Sequence, residues 1–128
     1  MPPKTKEGSA TGLVAIIHEA RRVDLRAGSK PHRLTSMWAV VVDGRVFVRS
    51  WSVKPRSWYR TLLEEPHGVL EVKGRRVRFR AVRTRSLRTK AAVDRAYREK
   101  YDHPGDLPYT RDMTGAKSRA TTTELVLD

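Results

Sequence analysis

Residues 46–60 read Val-Phe-Val-Arg-Ser-Trp-Ser-Val-Lys-Pro-Arg-Ser-Trp-Tyr-Arg, a run in which cations, hydroxyls and indoles are interleaved. Arg49, Lys54 and Arg56 supply positive charge, Ser50 and Ser57 supply hydroxyls, and Trp51 and Trp58 supply flat apolar faces. That set suits an anion carried on a planar group. Guanidinium forks grip phosphate oxygens in pairs. Ser57, two residues after Pro55, is placed to cap a helix whose first free backbone N–H groups would face the same loop. A second reading of the same residues puts Trp51 and Trp58 in the core and leaves the cations in water. Residue types alone leave both readings open.

Two further basic clusters stand apart from this corner. Lys30 and Arg33 flank Pro31 and His32 in a loop that, in a barrel, lies near residues 50–57 and gathers Lys30, Arg33, Lys54 and Arg56 around one anion. It reads equally as an ordinary exposed loop. Farther along, Arg76, Arg78 and Arg80 alternate with Val77, Phe79 and Ala81, so that one strand face is apolar and the other carries cations at a spacing of roughly 6.5 Å. From residue 73 to 90 there are nine basic residues and no acid. Such a ladder suits a nucleic-acid backbone. It also suits a solvated outer sheet face, since no aromatic residue interleaves there to stack on bases.

Other chemistries are poorly supplied. The chain has no cysteine, which removes disulfides, thiolate metal sites and thiol nucleophiles together and fits a reducing, cytoplasmic setting. His18, His32, His67 and His103 fall in separate segments without metal-ligand spacing, so no metal is expected. Asp102 and His103 stand beside Pro104 and Gly105, where turn chemistry accounts for them. Nucleophile elbow, paired catalytic carboxylates, P-loop and dinucleotide glycine fingerprint are all missing, and no catalytic side chain is assigned. If the protein is an enzyme, a bound cofactor carries the reaction. The 27 Lys plus Arg against 14 Asp plus Glu give a net charge of +13, a field that attracts phosphates of any kind.

The elements that must position these groups follow from periodicity and turn residues. The 128 residues fit one domain over 11–128, preceded by a polar, proline-bearing arm at 1–10 expected to be disordered. Leu13, Ile16 and Ile17 mark one face of a short helix, and residues 22–26 alternate as a strand. Residues 37–42 and 45–49 flank Asp43-Gly44 as a hairpin, with a first strand apolar on both faces and so expected at the centre of the sheet. A helix over residues 57–63 is followed by a second hairpin around Lys73-Gly74. Ser86 caps a helix reaching about Tyr101, with Leu87, Ala91, Tyr97 and Tyr101 as its expected buried stripe. A loop-rich stretch leads to a closing strand at residues 121–127. The sum is an α+β protein with a mostly antiparallel sheet able to curl into a barrel. No apolar run reaches membrane-spanning length and no export signal is visible.

The order of these elements resembles a known group. Arg49-Ser50, then Ser57-Trp58-Tyr59-Arg60-Thr61-Leu62-Leu63-Glu64-Glu65-Pro66, then residues 69–72 and Gly74-Arg75-Arg76-Val77 resemble the P-x-W-Y-x-N-L-x-x-x-P and V-x-V-G-G region of deazaflavin-dependent nitroreductases. Those are antiparallel split β-barrel proteins of the broad FMN-binding group. Gly28-Ser29-Lys30 and Arg33 weakly resemble that family's G-R-K-S-G loop. A closer likeness, through Trp38, Val46-Phe47-Val48-Arg49-Ser50, Trp58-Tyr59-Arg60 and Ala96-Tyr97-Arg98-Glu99-Lys100-Tyr101, is to an uncharacterised bacterial domain family of the same fold. The resemblance implies a split barrel with flanking helices whose groove can hold FMN or a deazaflavin, and the reading built on it is an oxidoreductase that passes hydride or electrons to a small organic acceptor. On that reading Arg49, Ser50, Lys54, Arg56 and the helix start at Ser57 and Trp58 hold the phosphate, Lys30 and Arg33 assist, and Trp51 or Trp58 borders the ring. Thr61 stands where that family has asparagine, and Trp51-Ser52-Val53 stand where glycines usually follow the serine. Two alternatives remain in view: a basic, non-enzymatic module binding nucleic acid through Arg76, Arg78 and Arg80, and a homodimer with a degenerate groove.

Overall fold

The structure, a computed structural model, describes residues 12–29, 34–51 and 57–128. The expected arm at 1–10 lies outside the described residues, as do Lys30, Arg33, Lys54 and Arg56. A first helix, α1, covers residues 12–19. It is followed by strands β1 (Val23–Ala27), β2 (Thr35–Met37), β3 (Ala39–Val42) and β4 (Arg45–Val48). Helix α2 (Trp58–Glu64) leads into β5 (His67–Val72) and β6 (Arg75–Arg83). Helices α3 (Leu87–Lys100), α4 (Leu107–Met113) and α5 (Ala116–Arg119) precede β7 (Thr123–Leu127).

The seven strands form one antiparallel sheet in the order β2-β1-β5-β6-β7-β4-β3. Its two end strands, β2 and β3, are consecutive in the chain and separated by Trp38 alone. A single extended segment therefore serves both ends of the sheet, which must curl round to meet it. The result is a nearly closed barrel flanked by helices. Both expected hairpins are present, with Asp43 and Gly44 at φ 51° and 74° and Lys73 and Gly74 at φ 50° and 76°. These left-handed pairs are what a two-residue type I′ turn requires.

Period-two alternation sorts the strands into an inner and an outer surface. Val23, Leu25, Leu70, Val72, Phe79 and Leu125 point inward and meet Leu13 and Ile17 of α1 and Leu62 of α2. On β6, Val77 and Ala81 pack beside Phe79 against this core while Arg76, Arg78 and Arg80 are exposed outside, as their alternation predicts. A second cluster lies outside the barrel, where Val40 and Phe47 meet Val93, Tyr97 and Tyr101 of α3 and Met113 of α4.

That second layer corrects two expectations. The strand apolar on both faces is not central: β3 ends the sheet order, and its outer face is apolar because α3 covers it. Likewise the stripe that α3 buries is Val93, Asp94 and Tyr97, continued by Tyr101, whereas Leu87 is 78% exposed and Ala91 is exposed too. The Ser86 cap is in place, its Oγ accepting from the Thr89 N–H at 3.2 Å. The stretch up to Arg119, expected to be loop-rich, holds the two short helices α4 and α5. Pro108 in the first turn of α4 favours a helix start. Among the described residues no helix is long and apolar enough to cross a membrane.

Candidate functional site

A cleft of about 930 Å³ opens beside the corner where Trp38 carries the chain from β2 to β3. Four parts of the chain supply its walls: Arg21 and Arg22 ahead of β1, Thr35 to Trp38, the segment Arg49-Ser50-Trp51 with Ser57 and Trp58, and Gly105, Asp106, Tyr109 and Met113 around α4. All three tryptophans of the protein face this one space.

The aromatic wall is fixed from behind. Trp38 stacks on Tyr101 with ring centroids 3.8 Å apart and planes 2° from parallel. The Tyr101 hydroxyl in turn donates to the carbonyls of Arg21 at 2.9 Å and Ala39 at 3.3 Å. Burial pushes the ionisation of that phenol well above its usual range, so it remains a donor at any physiological pH. Tyr109 meets Trp38 and Trp51 edge-on, both at 6.3 Å. Trp51 stands at the rim, 64% exposed, its Nε1–H donating to Asp112 at 3.2 Å.

The cations divide by occupation. The Arg21 guanidinium clasps Asp106 through two bonds of 2.9 and 2.8 Å, tying the β1 side of the cleft to the start of α4. Arg21 holds the Asp106 carboxyl below the usual carboxylate range. Arg22 is exposed and has no acidic partner among the described residues. Arg49 is only 1% exposed and its guanidinium is spent on the protein itself. Its Nε donates to Thr122 Oγ1 at 2.9 Å, Nη1 to Asp94 Oδ1 at 2.5 Å and the Met113 carbonyl at 2.9 Å, and Nη2 to the Lys90 carbonyl at 3.0 Å. Arg119 closes on the other Asp94 oxygen. Burial pushes the Asp94 carboxyl up, but the bonds from Arg119 and Arg49 outweigh it and hold the group ionised.

Of the residues singled out from sequence, Arg49, Ser50, Trp51, Ser57 and Trp58 are gathered at the cleft. Ser50 is fixed there by its backbone, its N–H donating to Thr121 Oγ1 at 2.8 Å and its carbonyl accepting from Ser118 Oγ at 3.0 Å. Ser57 caps α2, its Oγ accepting the Arg60 N–H at 3.3 Å. Arg76, Arg78 and Arg80 lie on the barrel's outer surface, away from the cleft. Sequence reasoning gave no place at the site to Arg21, Arg22, Asp106 and Tyr109. The available signal was a tandem of arginines directly before a strand and a tyrosine following proline in a first helical turn, neither of which is specific. Among the described residues no group of three metal-ligating side chains converges.

Comparison with known proteins adds the family. Residues 14–125 match the model of a bacterial family described as "Uncharacterized protein conserved in bacteria (DUF2255)". No curated protein matches the chain. Among solved structures, the conserved hypothetical protein Rv2991 from Mycobacterium tuberculosis is similar with a TM-score of 0.57 and 18% identity, over 89% of this chain and 76% of that one. At that identity the likeness speaks for the fold.

Proposed function

The chain belongs to the DUF2255 family of proteins conserved in bacteria, and from that premise we propose that its cleft holds a planar, phosphate-bearing cofactor of the flavin or deazaflavin type and serves hydride transfer to a small organic acceptor. The observation that carries the reading is the convergence of Trp38, Trp51, Trp58 and Tyr109 on one open cleft that also presents Arg22. The residues present fit such a group: flat side chains accept a ring by stacking, and an arginine without an acidic partner is available to a phosphate. The resemblance of residues 49–77 to the deazaflavin-dependent nitroreductase region supports the same choice.

When bound, the cofactor supplies a hydride that no side chain of this protein offers. The chain's own part is to bind and orient. Trp38, clamped on Tyr101, gives a wall that cannot swing. The Arg21–Asp106 clasp holds α4, and with it Tyr109, at a fixed distance from β1. Arg22 and the hydroxyl of Ser36 lie on the same side of the cleft and suit the phosphate end. Arg49 acts behind the site, keeping Ser50 and Trp51 in place through α3 and α4.

Titration of the purified protein with FMN and with a deazaflavin, followed by absorbance and cofactor fluorescence, tests this. Quenching by the indoles is expected with one of the two. An Arg22→Ala variant should bind about tenfold more weakly, the equivalent of about 1.4 kcal/mol. A colourless protein that perturbs neither cofactor would sink the reading.

A further inference from the structure

We infer that the outer surface of the sheet around Arg26, Arg78 and Arg80 docks on the phosphate backbone of double-stranded nucleic acid without reading its sequence. The register places these cations together. Arg26 of β1 and Arg78 of β6 both lie opposite Val69 of β5, and Arg80 lies opposite His67 of β5 and Val126 of β7. With strands about 4.8 Å apart and alternate residues roughly 6.5 Å apart, the three Cα atoms fall within a patch on the order of 10 Å.

The patch sets three arginines against one carboxylate, that of Asp128, which lies opposite Arg78 with its N–H donating to the Arg78 carbonyl at 3.0 Å. Among the described residues neither Arg26, Arg78 nor Arg80 has an acidic partner, and the buried Nε–H of Arg26 finds no acceptor. Two other carboxylates of the same outer surface are drawn elsewhere. Glu71 accepts from Arg76 at 3.0 Å, which removes Arg76 from the ladder, and Glu124 accepts from Arg45 at 2.7 Å. Asp24 sits in the Glu71 row, one step away from the patch. The surface is thereby sorted into a paired end and a net basic end, on a protein with a net charge of +13.

Three features choose the occupant. Each cation of the patch is arginine, whose fork matches phosphate oxygens. Among the outward neighbours Val69, His67 and Val126 the one ring is the small imidazole of His67, which lies 3.7 Å from Glu65, so a single strand finds no Trp, Tyr or Phe platform here. A duplex presents its phosphates outward and needs no such platform. Nor is there a large aliphatic side chain here to insert into a lipid surface.

The experiment is fluorescence anisotropy of the full chain with a short labelled DNA duplex of scrambled sequence, repeated over a range of salt. Arg78→Gln with Arg80→Gln should weaken duplex binding about tenfold or more and reduce the slope of log K against log salt by about two. Arg98→Gln with Lys117→Gln, the same charge change on α3 and α5, should leave that slope unchanged; thermal unfolding of both variants checks that they fold. The inference is overturned if the β6 variant keeps its slope, if the helix variant loses as much, if the matching single strand binds as tightly as the duplex, or if the protein prefers anionic vesicles. Cofactor titration of the same variants is expected to be unaffected, so this result and the cleft reading stand or fall separately.

Discussion

The inside of the barrel and the layer beneath α3 are both buried, yet they are held together by different physics. Inside, Val23, Leu25, Leu70, Val72, Phe79 and Leu125 offer no polar atom that needs a partner. Their contribution is area removed from water and contact with neighbours, so a change there is felt through the volume it leaves. Beneath α3, apolar Val40, Phe47 and Val93 share the space with Arg49, Asp94, Tyr97, Tyr101 and the Lys100 ammonium. In that layer the governing quantity is how many buried donors and charges keep their partners. The cleft is built on the second layer, since Trp38 rests on Tyr101 and Trp51 stands two residues after the buried Arg49.

The comparison breaks or sharpens under three measurements. The largest effect is expected from Asp94→Ala, which leaves a guanidinium with 0% side-chain exposure facing no carboxylate. Urea denaturation should show a loss of about 3–5 kcal/mol. Leu70→Ala, inside the barrel, should cost about 3 kcal/mol through its cavity. The two should part company with pH. The Asp94 carboxyl is held below its usual range, so its stabilisation is complete above the unfolded value near pH 4 and drains away as pH falls through the folded value. The cost of Asp94→Ala should therefore shrink in acid while that of Leu70→Ala stays level. Equal pH behaviour of the two variants would erase the distinction.

The smallest effect concerns Lys100. Its Nζ donates to the carbonyls of Ile17 at 2.9 Å and Ala39 at 2.6 Å, and burial, with a smaller push from Arg21, lowers its pKa to about 8. A base lowered on folding binds fewer protons folded than unfolded between that value and about 10.5. Stability should then rise with pH through this window, by about 1 kcal/mol once solvent screening of a half-exposed group is allowed for. Above about pH 10 the raised values of Tyr97 and Tyr101 reverse the trend, because the unfolded chain loses those protons first. Lys100→Met should flatten the rise between pH 8 and 10 in thermal unfolding scans.

What could be read from the residues tracks how local the cause is. Asp43-Gly44 and Lys73-Gly74 fix their hairpins through their own φ preferences, and the inward Val77, Phe79 and Ala81 declare themselves by alternation within one strand. Arg49 was legible as a cation at a strand end and not as a buried one. Its partners Asp94, Met113 and Thr122 stand 45, 64 and 73 residues away, and no periodicity links them. A hint existed in Asp94 itself: a carboxylate one residue from Val93 and three from Tyr97 sits on the buried stripe of its helix and demands a buried cation. The cleft was half visible for the same reason. Trp51, Ser57 and Trp58 are neighbours in sequence, whereas Arg22, Asp106 and Tyr109 reach them only through the curl of the sheet.

That curl has a consequence for how the protein keeps company. Because residues 35–42 pair with β1 through their first half and with β4 through their second, the two end strands of the sheet are, among the described residues, only three and four residues long. A foreign strand would find too short a template to add itself in register. Self-templated aggregation through sheet edges is thereby discouraged by topology, at no cost to the openness of the cleft beside Trp38.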